Sequence, residues 1–93
     1  MEFEWDPKKA VGNLGKHGVS FQEAATVFAD EFGTTVPDPD HSIDEHRYIT
    51  IGWSSQRRLL MVAHADYRDR IRIVSARKLI RTERKIYEEE SQE

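Results

Sequence analysis

Cysteine is absent from the sequence, which excludes a disulfide framework, a thiolate metal site and a cysteine nucleophile. Stability must come from packing and hydrogen bonds, as suits a reducing compartment. Long apolar runs are missing as well. None exceeds Leu59-Leu60-Met61-Val62-Ala63, far short of the roughly 20 residues that a membrane-spanning helix needs. The N-terminal MEFEWDPKK has neither the basic start nor the apolar stretch of a signal peptide. A soluble, cytoplasmic protein with no membrane partner is therefore expected. There is also no internal repeat, linker or low-complexity segment beyond the EEESQE tail.

What is present is enough for one small core. The 93 residues are 38% hydrophobic with nine aromatics, and 33% are charged, so a compact interior must sit under a strongly solvated surface. The net charge of -3 hides an asymmetry. Residues 1–46 carry 3 basic and 10 acidic side chains, whereas residues 47–93 carry 11 basic and 7 acidic ones. Such a division can bring a polyanion to one surface while the net value discourages indiscriminate adsorption.

Phe3 and Trp5 alternate with Glu2 and Glu4 as in a short half-buried strand, and Asp6-Pro7 then supplies an N-cap and a first-turn proline. A first helix is predicted from there to about Gly15 or Lys16, with Gly18 placed to end it. Ser20-Phe21-Gln22-Glu23 matches a capping box for a second helix. In that helix Phe21, Ala24, Ala25, Phe28 and Phe32 form the buried face, and Gln22, Glu23 and Asp30 the solvent face. Gly33 to Asp44 reads as a short edge strand and a proline-rich acidic loop. Residues 46–53, 58–65 and 70–75 read as strands of an antiparallel meander, and Ala76 to about Glu90 as a third helix. The sum is a single α+β domain over 1–93: an antiparallel sheet of about four strands, two N-terminal helices, one C-terminal helical segment, and a frayed tail near 89–93.

The positive charge concentrates in RDRIRIVSARK, residues 68–78, which holds five basic side chains. A period of two puts Ile71, Ile73 and Ser75 on one sheet face and Arg70, Arg72 and Val74 on the other. Arg77 and Lys78 follow at the strand exit, where a helical turn would also offer backbone N–H groups to an oxyanion. The ordinary explanation is surface pairing of these arginines with carboxylates, worth about 0 to 1 kcal/mol each. For the cluster as a whole, nucleic acid is favoured, because residues 57–85 hold 10 basic and only 3 acidic side chains.

Asn13-Leu14-Gly15-Lys16-His17-Gly18 is a helix C-terminus complemented by cations. Equally, its histidine and lysine suit proton transfer and phosphate binding near pH 7. The loop at 38–46 invites a metal, but a calcium loop starting at Asp38 would need glycine and glutamate where Ile43 and Ile49 stand, so no metal or other cofactor is expected. Arg47 is expected at the sheet rim beside Arg70 or Arg72. His64 is expected as a hydrogen-bonded sheet histidine, and Trp5 and Trp53 as core before base-stacking groups.

FEWD at 3–6, Lys9, Asn13, KHGVSF at 16–21, Glu23-Ala24, Val27-Phe28, Glu45, Arg47, Gly52, IRIVSARK at 71–78, Glu83-Arg84 and Tyr87 together resemble the BrnT family over nearly the whole chain. The resemblance implies a RelE-like fold and a ribonuclease toxin of a type II toxin–antitoxin pair. It also implies a BrnA-type antitoxin that binds operator DNA, so that the toxin meets DNA only through it, with two toxin copies in the complex. Lys16, His17, Arg47, Arg72 and Arg77 match the family's polar motifs. Leu79-Ile80-Arg81 departs from the smaller residues expected there.

The expected activity is metal-independent endoribonuclease cleavage through 2′-hydroxyl attack. Lys16 or His17 would move the proton, Arg72 and Arg77 would meet the transition-state charge, and Arg47, Arg70 and Lys78 would bind the RNA backbone. The alternatives are a non-catalytic nucleic-acid-binding domain that uses the same basic face, and a protein-interaction module. The catalytic reading requires the early lysine and histidine to face the same way as the late arginines.

Overall fold

Glu2–Glu4 forms strand β1. Asp6 ends it and caps helix α1 (Pro7–His17), its carboxylate accepting from the Lys8 N–H at 2.8 Å while Pro7 occupies the first turn. Gly18 closes α1 in the left-handed conformation, φ 68°, with its N–H donating to the Leu14 carbonyl at 2.9 Å. Helix α2 (Phe21–Thr26) starts at Ser20, whose hydroxyl accepts from the Glu23 N–H at 3.0 Å, and a 3-10 turn at Val27–Ala29 follows it. The strands are β2 (Thr34–Pro37), β3 (Arg47–Trp53), β4 (Leu59–Tyr67) and β5 (Arg70–Lys78), and helix α3 (Arg81–Ser91) ends the order. This computed structural model describes residues 1–40 and 46–91. The acidic loop considered above for a metal lies in part outside them, at 41–45.

All five strands join one sheet in the order β1-β5-β4-β3-β2, so the expected count of about four is one short. The β2 to β5 pairings are antiparallel, but β1 lies parallel to β5, with Glu2 beside Arg70, Phe3 beside Ile71 and Glu4 beside Arg72. A parallel neighbour needs a long connection, and here that connection is the rest of the chain.

Helices α1 and α2 cover one sheet face. Val19, Phe21, Ala24 and Val27 pack on Leu60, Val62, Ile73 and Ala76, all at most 1% exposed. Burial of each larger side chain contributes about 1.5 to 3 kcal/mol. Gly52 lets β3 approach the 3-10 turn, since a Cβ there would lie 3.0 Å from Val27 Cγ1 and 3.1 Å from Asp30 Oδ2.

Three expectations change. Glu23 does not face solvent and does not complete the capping box. Instead it is 4% exposed, ion-paired with Arg58 and hydrogen-bonded by Ser54 Oγ at 2.7 Å. Phe32 is 81% exposed, because α2 ends at Thr26 and its periodicity does not extend that far. The third helix begins at Arg81 rather than Ala76, since residues 76–78 pair with Leu60, Met61 and Val62 and so prolong β5.

Candidate nucleic-acid interface

In the β4–β5 ladder His64 pairs with Ile73 and Ala63 with Ser75, leaving Val74 as an extra residue, a β-bulge. One extra residue inverts the phase of every side chain after it. Before the bulge, Ile73 points into the core and Arg72 away from it. After the bulge, Ala76 points into the core, and Ser75 and Arg77 point away. A strict alternation would have turned Arg77 towards the helices with Ile71 and Ile73. The bulge therefore puts Arg70, Arg72, Ser75 and Arg77 on one face, a correction to the predicted grouping of Ser75 with the isoleucines.

The sheet register adds Arg47 to this face. It pairs with Ala65, and Ala65 pairs with Arg72, so two guanidinium side chains flank one small buried residue. Ile49, Ala63 and Ser75 form the next row, and Ile51, Met61 and Arg77 the one after. The result is a floor of small and apolar side chains with arginines at both ends. Helix α3 crosses the Arg77 end, where the Arg84 guanidinium lies 5.1 Å from the Trp53 ring centre and Tyr87 donates to the Phe32 carbonyl at 3.1 Å.

Carboxylates hold Arg70, Arg72 and Arg77. Arg72 donates to one oxygen of Glu4 from Nε at 3.0 Å and Nη2 at 2.8 Å, and its guanidinium carbon sits 4.1 Å from the Tyr67 ring centre. Arg77 grips Glu83 as a fork, Nη1 to Oε1 at 2.8 Å and Nη2 to Oε2 at 2.9 Å. Arg70 reaches Glu2 at 3.3 Å. The Arg77 fork holds the Glu83 carboxyl far below its ordinary range, at about 2, with further help from the Ile80 N–H and against the opposing effect of burial. Ile80 N–H belongs to the turn that the sequence suggested for an oxyanion; Glu83 occupies it.

Lys16 and His17 sit in the last turn of α1. That helix lies along the β5 edge on the core side, fixed by Asn13, whose side chain bonds the backbone of Ala76 and the carbonyl of Val19. Lys78, one residue after Arg77, returns to the core side, and its charge acts on Glu23. The structure thus places Arg47, Arg70, Arg72 and Arg77 on one sheet face, with Arg47 and Arg72 in one row and Arg77 two rows away, and leaves Lys16 and His17 in the last turn of α1 and Lys78 on the core side.

Glu4, Glu83 and Lys9 escaped the sequence reading as site residues. The signal for Glu4 was its strand alternation with Phe3, but pairing in register with Arg72 across 68 residues leaves no local mark. Lys9 lines a recess of about 220 Å³ with Glu4, Trp5, Asp6, Arg72, Ile73 and Val74. Among the described residues no group of three His, Cys, Asp or Glu side chains is arranged to hold a metal.

Residues 5–83 match the model of the type II toxin–antitoxin ribonuclease toxin BrnT. The chain belongs to the BrnT family. A crystal structure of the Brucella abortus ribonuclease toxin BrnT superposes with a TM-score of 0.69 over 87% of this chain and 99% of that one, at 20% identity, and so shows the shared fold. No curated protein sequence matches the chain. As a BrnT-family protein it is a ribonuclease toxin of a type II pair, for which an antitoxin partner and an RNA substrate follow. No helix among the described residues is long and apolar enough to cross a membrane.

Proposed function

We propose that this chain cleaves RNA endonucleolytically without a metal, by attack of a ribose 2′-hydroxyl on the adjacent phosphorus to leave a 2′,3′-cyclic phosphate. The observation that carries this reading is the sharing of one open sheet face by Arg47, Arg72 and Arg77 over a floor of small side chains. A pentavalent phosphorane gathers negative charge on its non-bridging oxygens, and guanidinium groups supply fixed, bidentate donors for it. Arg72 and Arg77 meet that charge, while Arg47 and Arg70 hold the neighbouring backbone. Glu4 and Glu83 keep the guanidiniums aligned until a phosphate replaces or shares them. Lys16 and His17 drop out of proton transfer in this reading, because they sit in the last turn of α1, past the Asn13–Ala76 bonds, and do not line the recess beside Arg72.

A BrnA-type antitoxin neutralises the toxin by covering this face, and operator DNA is met only through that antitoxin, with two toxin copies in the complex. Toxicity follows from loss of translatable RNA in the cytoplasm.

Labelled RNA incubated with purified protein and a metal chelator tests the reading. Cyclic phosphate ends are expected. Intact but bound RNA would replace the enzyme with a nucleic-acid-binding domain, and neither cleavage nor binding would leave only a protein-interaction role.

A further inference from the structure

The recess at the junction of β1, α1 and β5 borders Arg72 and contains groups able to exchange the protons of a 2′-hydroxyl reaction. β1 stops at the Glu4–Arg72 pair, so beyond Arg72 the β5 edge has no strand beside it until Asn13 covers Ala76. Into that gap open Glu4, Trp5, Asp6 and Lys9 from the N-terminal segment, and Arg72, Ile73 and the bulged Val74 from β5. Three of these can exchange a proton: Glu4, Asp6 and Lys9. Asp6 is committed as the N-cap of α1. Glu4 remains beside the arginine, with 22% of its side chain exposed. Its Oε2 takes both bonds from Arg72, and its Oε1 is 3.9 Å from Arg70 Nη1, beyond hydrogen-bond length.

We propose that Glu4 is the proton acceptor and Lys9 the proton donor of the cleavage, with Arg72 between them on the phosphoryl group; this rests on the ribonuclease reading above. Glu4 Oε1 takes the proton of the ribose 2′-hydroxyl as that oxygen forms its bond to phosphorus. The bond from phosphorus to the 5′-oxygen breaks, its electron pair stays on that oxygen, and the Lys9 ammonium supplies the proton that neutralises it. The cyclic phosphate and a free 5′-hydroxyl result, with no oxidant, water or metal consumed. The acceptor comes from β1 and the donor from α1, and both line one recess with Arg72 of β5, so two different elements can serve the two ends of the reacting group. Arg72 thus has two tasks, orienting the carboxylate through two donors and holding the phosphate.

The test uses the full chain with two variants and two substrates. Glu4→Gln keeps an acceptor for Arg72 and should lower cleavage by about 10²- to 10⁴-fold while RNA binding persists and the acidic limb of the pH–rate profile disappears. Lys9→Ala, at an exposed position, should lose a comparable factor on ordinary RNA. It should regain the wild-type rate on RNA in which sulfur replaces the scissile 5′-oxygen, since a thiolate departs without a proton. Wild-type cleavage retained by Glu4→Gln, or an unchanged acidic limb, would overturn the role of Glu4. An equal loss for Lys9→Ala on both substrates would reduce Lys9 to backbone binding and overturn its role as donor. Absence of cleavage by the unmodified chain would instead reject the ribonuclease reading itself.

Discussion

Asn13 on α1 and Ala76 on β5 are bonded in both directions. The Asn13 amide donates to the Ala76 carbonyl at 2.8 Å, and its oxygen accepts from the Ala76 N–H at 3.0 Å. One side chain therefore stands in for the strand that β1 is too short to provide, and a third bond, to the Val19 carbonyl at 2.9 Å, ties the following turn to the same point. Asn13→Ala would leave three buried backbone groups unpaired. It is expected to destabilise the fold by about 2 to 3 kcal/mol, read as a lower urea midpoint at unchanged slope.

Arg77→Ala is expected to lose cleavage by about 10²- to 10³-fold with the fold retained, because the core on the opposite face does not use its side chain. Circular dichroism and a labelled-RNA assay on the same preparation check both halves. Full activity would remove Arg77 from the reaction.

Glu83 competes with phosphate for Arg77. Glu83→Gln should tighten RNA binding a few-fold, by about 1 kcal/mol or less at this partly exposed pair, and should speed amide exchange in the first turn of α3, where its carboxylate accepts from Ile80 N–H. With its folded value near 2 against an ordinary 4.5, the carboxylate stabilises the protein at neutral pH. That contribution begins to fall as pH drops below about 4.5 and is gone below 2. A salt series on the binding curve separates loss of the competing charge from a general electrostatic change.

His64 is buried, 4% exposed, with Nε2 at 2.7 Å from Thr50 Oγ1 and Nδ1 without a hydrogen-bond partner among the described residues. Burial lowers its affinity for a proton below that of a free histidine, against a weaker opposing effect from Asp66. The unfolded chain therefore takes up a proton that the folded one resists. Stability should be full above about pH 6.5 and decline on acidification, by at most about 1.4 kcal/mol per pH unit. His64→Gln should flatten that part of a stability–pH curve measured by chemical denaturation.

Glu23 and Arg58 link α2 to the start of β4. Arg58 also donates to the Gly18 carbonyl at 3.0 Å, and Ser54 completes the carboxylate's partners. Removing one partner strands the other, so Arg58→Ala should cost about 2 to 3 kcal/mol, below the 3 to 5 of a fully buried pair because Arg58 is partly exposed. Thermal denaturation would show it; Arg58→Lys should recover only part, since Lys lacks the fork.

By itself the sequence determined whatever depends on neighbours a few residues apart. The caps at Asp6, Gly18 and Ser20, the three central strands, the hydrogen-bonded sheet histidine and the family motifs all belong to that class, because capping and alternation are local geometry. The tertiary structure decided which charges meet. The parallel seating of β1 on β5 gives Glu4 to Arg72, the bulge at Val74 puts Arg77 on the face of Arg72 rather than that of the core, and the seating of α1 on β5 puts Lys9, rather than Lys16 or His17, in the recess beside Arg72. An inserted residue in a strand changes no composition and breaks no apparent period. It becomes visible only when the partner strand fixes the register, and that pairing is set by burial across the sheet rather than by the residues on either side.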